Sequence, residues 1–310
     1  MKLLKRILWR LVAGIGVLWG AATLTFVTIN ITGGDPAIAI LGGPDALPTQ
    51  EVLARVRAEY GLDQPLIAQY GHYLSRLAHG DLGESYRLRI PVTSAIGQQI
   101  GATVELALWA GAIGIALSIL FAILTARRAR WVRSLSSGSE LVVSAMPSFV
   151  IGILLLLVFS FHWHWFPVSR TSGWKGMVLP ALTLALPIVA VLTQVLRQEL
   201  EDILEQPFIV TARARGMSDL GVRLRHALRH AMIPVVTLSG FIFASLLGGA
   251  VVVETLFVRQ GIGSLMVDAT TNKDVPIVLG ITLLAACTYV VVNIVVDLLY
   301  SLIDPRIRVA

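Results

Sequence analysis

Six charge-free stretches of close to twenty residues recur along the sequence, at 11–31, 106–124, 141–161, 177–196, 232–253 and 277–296. A helix rises about 1.5 Å per residue, so each stretch is long enough to cross the roughly 30 Å apolar core of a bilayer. Backbone polar groups in lipid must be satisfied within the element, which leaves helices or closed barrels. The ten-residue alternating strands of a barrel are absent. The expected fold class is an all-α membrane protein with six transmembrane helices. Composition agrees: 55% of residues are hydrophobic and only 14% charged, against roughly 25% charged in soluble domains. A soluble chain this apolar could not cover its own surface.

The placement of basic residues predicts an orientation. With the N-terminus cytoplasmic, sixteen of the 25 Lys and Arg fall inside: Lys2, Lys5, Arg6 and Arg10, then Arg127, Arg128, Arg130 and Arg133, then Arg197, Arg213, Arg215, Arg223, Arg225 and Arg229, and finally Arg306 and Arg308. Nine fall outside, so the positive-inside rule favours both termini in the cytoplasm. The net charge of +6 is then topogenic and calls for no nucleic acid. The first stretch is too long for a signal-peptide core and reads as an uncleaved helix. A single cysteine, Cys287, excludes a disulfide framework and a cysteine metal site.

Two polar segments interrupt the spans. Residues 32–98 form a large external segment with seven acids and five arginines; short helices are expected from Asp45 to Tyr60 and from Gln64 to Ala78, lying on the outer membrane face. The inner segment, within 199–231, begins with a short helix from Pro207 to Gly216, a glycine being a common helix stop. A second amphipathic helix follows from Asp219 to Ala231. On a helical wheel Leu220, Leu224, Ala227, Leu228 and Ala231 share one stripe, with Arg223, Arg225, His226, Arg229 and His230 opposite. Such a helix suits anionic headgroups, while small residues at Ala212, Ala214 and Gly216 suit close docking into another protein's groove.

The run FIVTARARGMSDLGVRLRHALRHAMIPVVT resembles the cytoplasmic EAA loop of ABC-importer permeases of the dipeptide/oligopeptide/nickel branch. Further blocks resemble the same branch: Gly34-Asp35-Pro36, YGLDQPLIAQYGHYL at 60–74, HGDLGESY at 79–86, ETLFVRQGIG at 254–263 and NIVVDLLYSLIDPRIR at 293–308. One departure is Val210, where the broad EAA pattern has a glutamate six residues before its glycine.

The resemblance implies a type I ABC importer permease fold with short external and cytoplasmic coupling helices. Three regions are expected: residues 1–31 as a cytoplasmic tail and first transmembrane helix, 32–98 as the external segment, and 99–310 as a five-helix core holding the coupling loop at 199–231. The chain would form half of the translocation pathway for di- or oligopeptides in the bacterial inner membrane, with nickel, metal chelates or glutathione as alternative solutes. Its implied partners are a second homologous permease subunit, two cytoplasmic ATPases, an extracytoplasmic substrate-binding protein and membrane lipid. The implied mechanism is alternating access. Thr211, Ala212, Arg213, Ala214, Arg215 and Gly216 would meet an ATPase cleft. No cofactor is expected in this chain, ATP and Mg belonging to the ATPases. The residues agree, since Lys2, Lys5, Lys175 and Lys273 do not follow a glycine as a Walker A lysine must. No nucleophile–base pair lies in the spans, so catalysis is not expected.

Glu254 sits where the fifth span meets the outer face, and with Thr255 and Pro147 it is the candidate for the translocation pathway. Asp297 lies near the inner face. Pro147, Pro180 and Pro187 are expected to pack or to kink spans three and four. Gly248-Gly249 and Gly16-x-x-x-Gly20 are expected at close helix contacts. His162-Trp163-His164-Trp165 offers too few ligands for a closed metal site and reads as an interfacial aromatic belt. A secondary transporter would show repeat symmetry and more charge at membrane depth.

Overall fold

A computed structural model describes residues 2–32, 36–41, 48–168 and 173–303. Gly34, Asp35, Asp45, Arg170, Arg306 and Arg308 lie outside them, as does the side chain of Asp297. Every named element is helical: α1 (Lys2–Thr32), α2 (Pro36–Ile40), α3 (Gln50–Glu59), α4 (Leu66–Ala78), α5 (Val92–Thr125), α6 (Arg130–Ala145), α7 (Ser148–Leu155), α8 (Lys175–Ile203), α9 (Pro207–Ala214), α10 (Asp219–Val222), α11 (Leu228–Leu256), α12 (Ile262–Thr271) and α13 (Val275–Ile303). Two π-helical segments, Leu156–His162 and Arg223–Ala227, continue α7 and join α10 to α11. Among the described residues there is no strand beyond one isolated bridge between Glu84 and Pro91. The all-α expectation holds, and the element pattern fits the type I permease fold.

The six apolar stretches all fall on helices, but not as six equal spans. Among the described residues, Val92–Thr125, Lys175–Ile203 and Val275–Val295 are long and apolar enough to cross a membrane. The stretch at 141–161 is broken. Arg130–Ala145 and Ser148–His162 meet at a bend of 108° and make a fourth span only if taken together. The cause is Pro147, which pushes Met146 out of helical geometry to φ −80°, ψ 131° and caps α7 from outside. Pro180 and Pro187, by contrast, sit inside α8 without breaking it. The first stretch lies on α1, whose apolar part, Val12–Thr28, is shorter, and the fifth on α11.

The chain divides into two compact units, Met1–Thr103 with Gln260–Val291 and Val104–Arg259 with Val292–Ala310. In the first, Val92, Ala95, Ile96, Ile262, Ala269, Ile277 and Ile281 form one cluster, and Ala37, Ile40, Leu53 and Val56 another. Thr49 caps α3 by accepting from Val52 N, and Pro65 opens α4, so both external helices form a few residues later than expected. In the second unit α8 is the axis: Leu192, Leu196, Leu200 and Leu204 are buried along one side, with Leu106, Ile209, Val222 and Val253 in the same cluster.

Glycine permits the closest approaches, several at positions other than the expected ones. A Cβ at Gly152 of α7 would sit 2.5 Å from Leu256 Cδ2 and 3.1 Å from Thr183 Cγ2, and one at Gly114 of α5 would sit 2.8 Å from Ile188 Cγ2. Gly249 meets Leu184 at 3.1 Å, as expected, but Gly16, Gly20 and Gly248 face open space. The expected close contact, within this chain or to a partner permease, is thus not made at Gly16, Gly20 or Gly248 among the described residues of this chain.

Candidate functional site

The inner loop is built around α9. Pro207 starts the helix with its φ already fixed, after an extended Gln206. Gly216, at φ +81°, ends it. Gly216 N–H donates to Arg213 O at 2.9 Å and Met217 N–H to Ala212 O at 3.4 Å, the paired bonds of a Schellman stop. No side chain crowds Gly216, so the requirement for glycine is conformational.

α9 has two sides. Ile209 and Ala212 are buried in the core of the second unit, whereas Phe208, Val210, Thr211, Arg213, Ala214, Arg215 and Gly216 are exposed. The six residues expected to dock elsewhere therefore divide. Five face outward, and Ala212 is small because it packs on its own chain.

Ser218 caps the following turn by accepting from Gly221 N–H at 3.2 Å. From Asp219 the chain is helical to Leu256 through the π segment Arg223–Ala227, so the expected separate helix at 219–231 merges with the fifth span. The π segment adds a residue to its turn and rotates the wheel. Leu220 and Leu224 are exposed, while Val222, Arg223, Ala227 and Ala231 turn inward. A basic residue predicted on the outer arc is thus buried.

Arg223 is held there by three bonds. Its Nε donates to Asp219 Oδ2 at 2.8 Å, and its Nη1 donates to Ile123 O at 2.9 Å and Ala126 O at 2.8 Å, at the C-terminus of α5. Terminal carbonyls have no intrahelical donor, and a cation there also complements the negative end of the helix dipole. Asp219 bonds a second guanidinium, Arg213 Nη2, at 2.9 Å. The Arg223 hydrogen bond, more than any other contact, holds the Asp219 carboxyl below its usual range, with Arg213 assisting.

A second polar cluster joins α6 to α8. Arg197 Nη1 and Nη2 donate to Glu140 Oε1 and Oε2 at 2.6 and 2.7 Å, and to Ser136 Oγ and Ser137 Oγ at 3.0 Å each. Among the pathway candidates, Glu254 is fully buried in the last turn of α11, and Thr255 is exposed and donates to Val251 O of its own helix. Pro147 is exposed at the α6–α7 break. They lie on two elements, and α11 meets α7 at Gly152, five residues beyond Pro147.

In the first unit Asp274 is buried and accepts from Ser85 Oγ, from Tyr86 N at 3.2 Å and from Arg87 N at 3.3 Å, fixing the turn after the HGDLGESY block. Tyr60, Tyr73 and Tyr86 line a cavity of about 260 Å³ there. Trp163 and Trp165 pack as a tilted pair with ring centroids 4.5 Å apart. Among the described residues no three His, Cys, Asp or Glu side chains converge to hold a metal.

Residues 91–309 match the model of the family described as the inner membrane component of binding-protein-dependent transport systems, and residues 3–107 match the model of its N-terminal region. The chain belongs to that family. A peptide transport system permease protein of Brucella abortus is 38% identical over 311 residues, covering 97% of this chain and 98% of that protein. The glutathione transport system permease GsiC of Escherichia coli O6:H1 is 38% identical over 310 residues, covering 99% of each, and its Salmonella typhimurium counterpart is 37% identical. A solved amino acid ABC transporter aligns at a TM-score of 0.48 and 17% identity, over 76% of this chain and 98% of that one. This permease is therefore a multi-pass membrane component of an ABC importer, a transport subunit rather than a catalyst.

Sequence reasoning missed Arg223, Glu140 and Asp274 as organising residues. Two left a signal. Asp219 and Arg223 are an acid and a base four apart on a helix, and Glu140 is the single acid between 106 and 198, beside an apolar stretch. Asp274 left none, because its partners lie about 190 residues away.

Proposed function

We propose that this permease forms half of the translocation pathway for di- and oligopeptides and works by alternating access. Its counterparts are a second permease subunit, two cytoplasmic ATPases that bind and hydrolyse ATP with Mg, and an extracytoplasmic binding protein. The proposed topology counts α1, α11 and the bent α6–α7 pair as one crossing each, six in all, with both termini cytoplasmic; the basic residues at 2–10, 127–133 and 197–229 support this orientation.

The observation that carries the reading is the two-sided α9. Its inner side is fixed to the permease by Ile209 and Ala212, while Thr211, Ala214, Arg215 and Gly216 face outward on a short, sharply stopped helix. That is the build of a helix-in-groove contact, with Arg213 and Arg215 near acidic groups of an ATPase. On the opposite side, Glu254, Thr255 and Pro147 are proposed to border the solute pathway.

Peptide transport draws support from the Brucella relative, and glutathione from the GsiC relatives at 38% and 37% identity; glutathione is itself a tripeptide, so both readings share one chemistry. Liposomes holding this chain with the proposed second permease and ATPase subunits are expected to take up labelled di- or oligopeptides when ATP and the binding protein are supplied. Uptake of glutathione with none of a di- and oligopeptide panel would move the assignment to the second reading. Uptake of neither would defeat both.

A further inference from the structure

We infer that Arg223 is a positioning residue for transport, tying the coupling helix α9 to the C-terminal turn of α5 so that the two move as one body. The inference rests on the reading of α9 as the ATPase contact and identifies which transmembrane helix receives its motion.

The hydrogen-bond accounting at the end of α5 supports it. Ala122 O is taken by Ala126 N–H and Thr125 O by Arg128 N–H, in the helix and turn itself. Leu124 O is taken by Arg128 Nε at 3.1 Å. Ile123 O and Ala126 O receive Arg223. Buried backbone acceptors are almost always paired, and here two of them are paired by a residue a hundred positions away.

The other end of the same guanidinium leads to α9. Arg223 Nε holds Asp219, and Asp219 holds Arg213 within α9. The path Arg213–Asp219–Arg223–α5 is thus a continuous series of charge-assisted bonds, buried at the Arg223 guanidinium (8% exposed) and open to solvent at Asp219 (56%) and Arg213 (41%). Charge-assisted bonds of this kind are about twice as strong as neutral ones. A parallel link from α5 to α8 runs through Arg127 and Glu205, whose side chains are 36% and 71% exposed. Exposed pairs are worth little, so the firm part of the path is the buried Arg223 guanidinium on Ile123 O and Ala126 O, and on the α9 side the exposed Arg213–Asp219 pair acts together with the burial of Ile209 and Ala212.

The test uses the assembled importer in proteoliposomes. With Cys287 replaced by serine, spin labels at Leu124 and Val210, both exposed, report the distance from the end of α5 to α9. That distance is expected to be the same with and without ATP. Arg223→Ala is expected to broaden it and to cut peptide imported per ATP hydrolysed by at least about tenfold, the scale of a lost positioning contact. ATPase activity is expected to persist, and Arg223→Lys to recover part of the ratio.

Asp219→Asn alters a surface side chain and cannot empty the core; it should lower the same ratio while the subunits still co-purify. An unchanged ratio and a narrow distance in Arg223→Ala and Asp219→Asn would overturn the inference. Ala214→Trp, on the outer side of α9, addresses the underlying reading separately: it should release the ATPases. Retained ATPases with normal uptake in that variant would sink the coupling reading whatever Arg223 does.

Discussion

Arg197 of α8 and Glu140 of α6 meet in a bidentate pair, both side chains 7% exposed. Two hydroxyls, from Ser136 and Ser137, complete the guanidinium's partners. Removing one member of a buried pair leaves the other charged and unsatisfied, at a cost of about 3–5 kcal/mol. Glu140→Gln and Arg197→Met should each lower the thermal midpoint of the detergent-solubilised permease. The double replacement Glu140→Leu/Arg197→Met should recover most of the loss, because the desolvation of both charges goes with them. A double variant no better than the singles would show that the pair is required as an ion pair.

The stop of α9 depends on Gly216. At φ +81° a side chain costs about 1–2 kcal/mol, with no neighbour to clash. Gly216→Asn should be tolerated, Gly216→Ala should loosen amide protection at Gly216 and Met217, and Gly216→Glu should abolish uptake while the subunit stays in the membrane fraction. Ala212→Leu should also abolish uptake, but by pushing α9 off its own core.

Close packing predicts a contrast among glycines. Gly152→Ala places a methyl 2.5 Å from Leu256, and overpacking of this kind costs about 1–3 kcal/mol. Gly16→Ala meets open space and should leave the isolated subunit's thermal stability unchanged. Equal effects at the two sites would contradict the packing described.

Two tyrosines should give the external segment an alkaline limit. Burial, reinforced by Tyr70, pushes Tyr73 up to about 12, and its hydroxyl is buried without a hydrogen-bond partner among the described residues. Burial, reinforced by Asp274, pushes Tyr86 up to about 12 as well. Below pH 10 both are neutral, folded or unfolded, and contribute no pH dependence. Between about 10 and 12 the unfolded chain loses protons that the folded one keeps, so stability falls as pH rises. Ultraviolet titration should show a late tyrosinate phase, reduced stepwise in Tyr73→Phe and Tyr86→Phe.

The acid side behaves oppositely at Asp219. Its lowered carboxyl keeps the Arg213 and Arg223 links charged throughout the neutral and mildly acidic range, and they weaken only as pH falls below the usual carboxylate values. Label distances between α5 and α9 should therefore be flat from neutral pH to about pH 5.

Much of the membrane architecture was legible because hydropathy along one chain is a local property. Each apolar stretch became helix since lipid leaves backbone groups no other partner. The short helix ended by Gly216 was equally local, a proline start and a glycine stop eight or so residues apart. What failed was any inference about which side of an element faces in. The wheel drawn for 219–231 put Leu220 and Leu224 on one stripe with Ala227 and Ala231, and Arg223 on the opposite arc, whereas Leu220 and Leu224 are exposed and Arg223 is buried with the two alanines. The third span was drawn as one crossing with Pro147 as a residue that packs or kinks it, and the chain bends there by 108°.

By itself, then, the sequence determined an all-helical membrane chain, the position of the short helix α9 and its family, because periodicity, hydropathy and long ordered motifs are written along the chain. Tertiary structure alone decided that Arg223 closes the end of α5, that Arg197 neutralises Glu140 and that Asp274 holds the turn at Ser85. Those pairings join residues 57 to 189 positions apart. A buried charge announces only that it needs a partner; where that partner stands is set by how the helices pack.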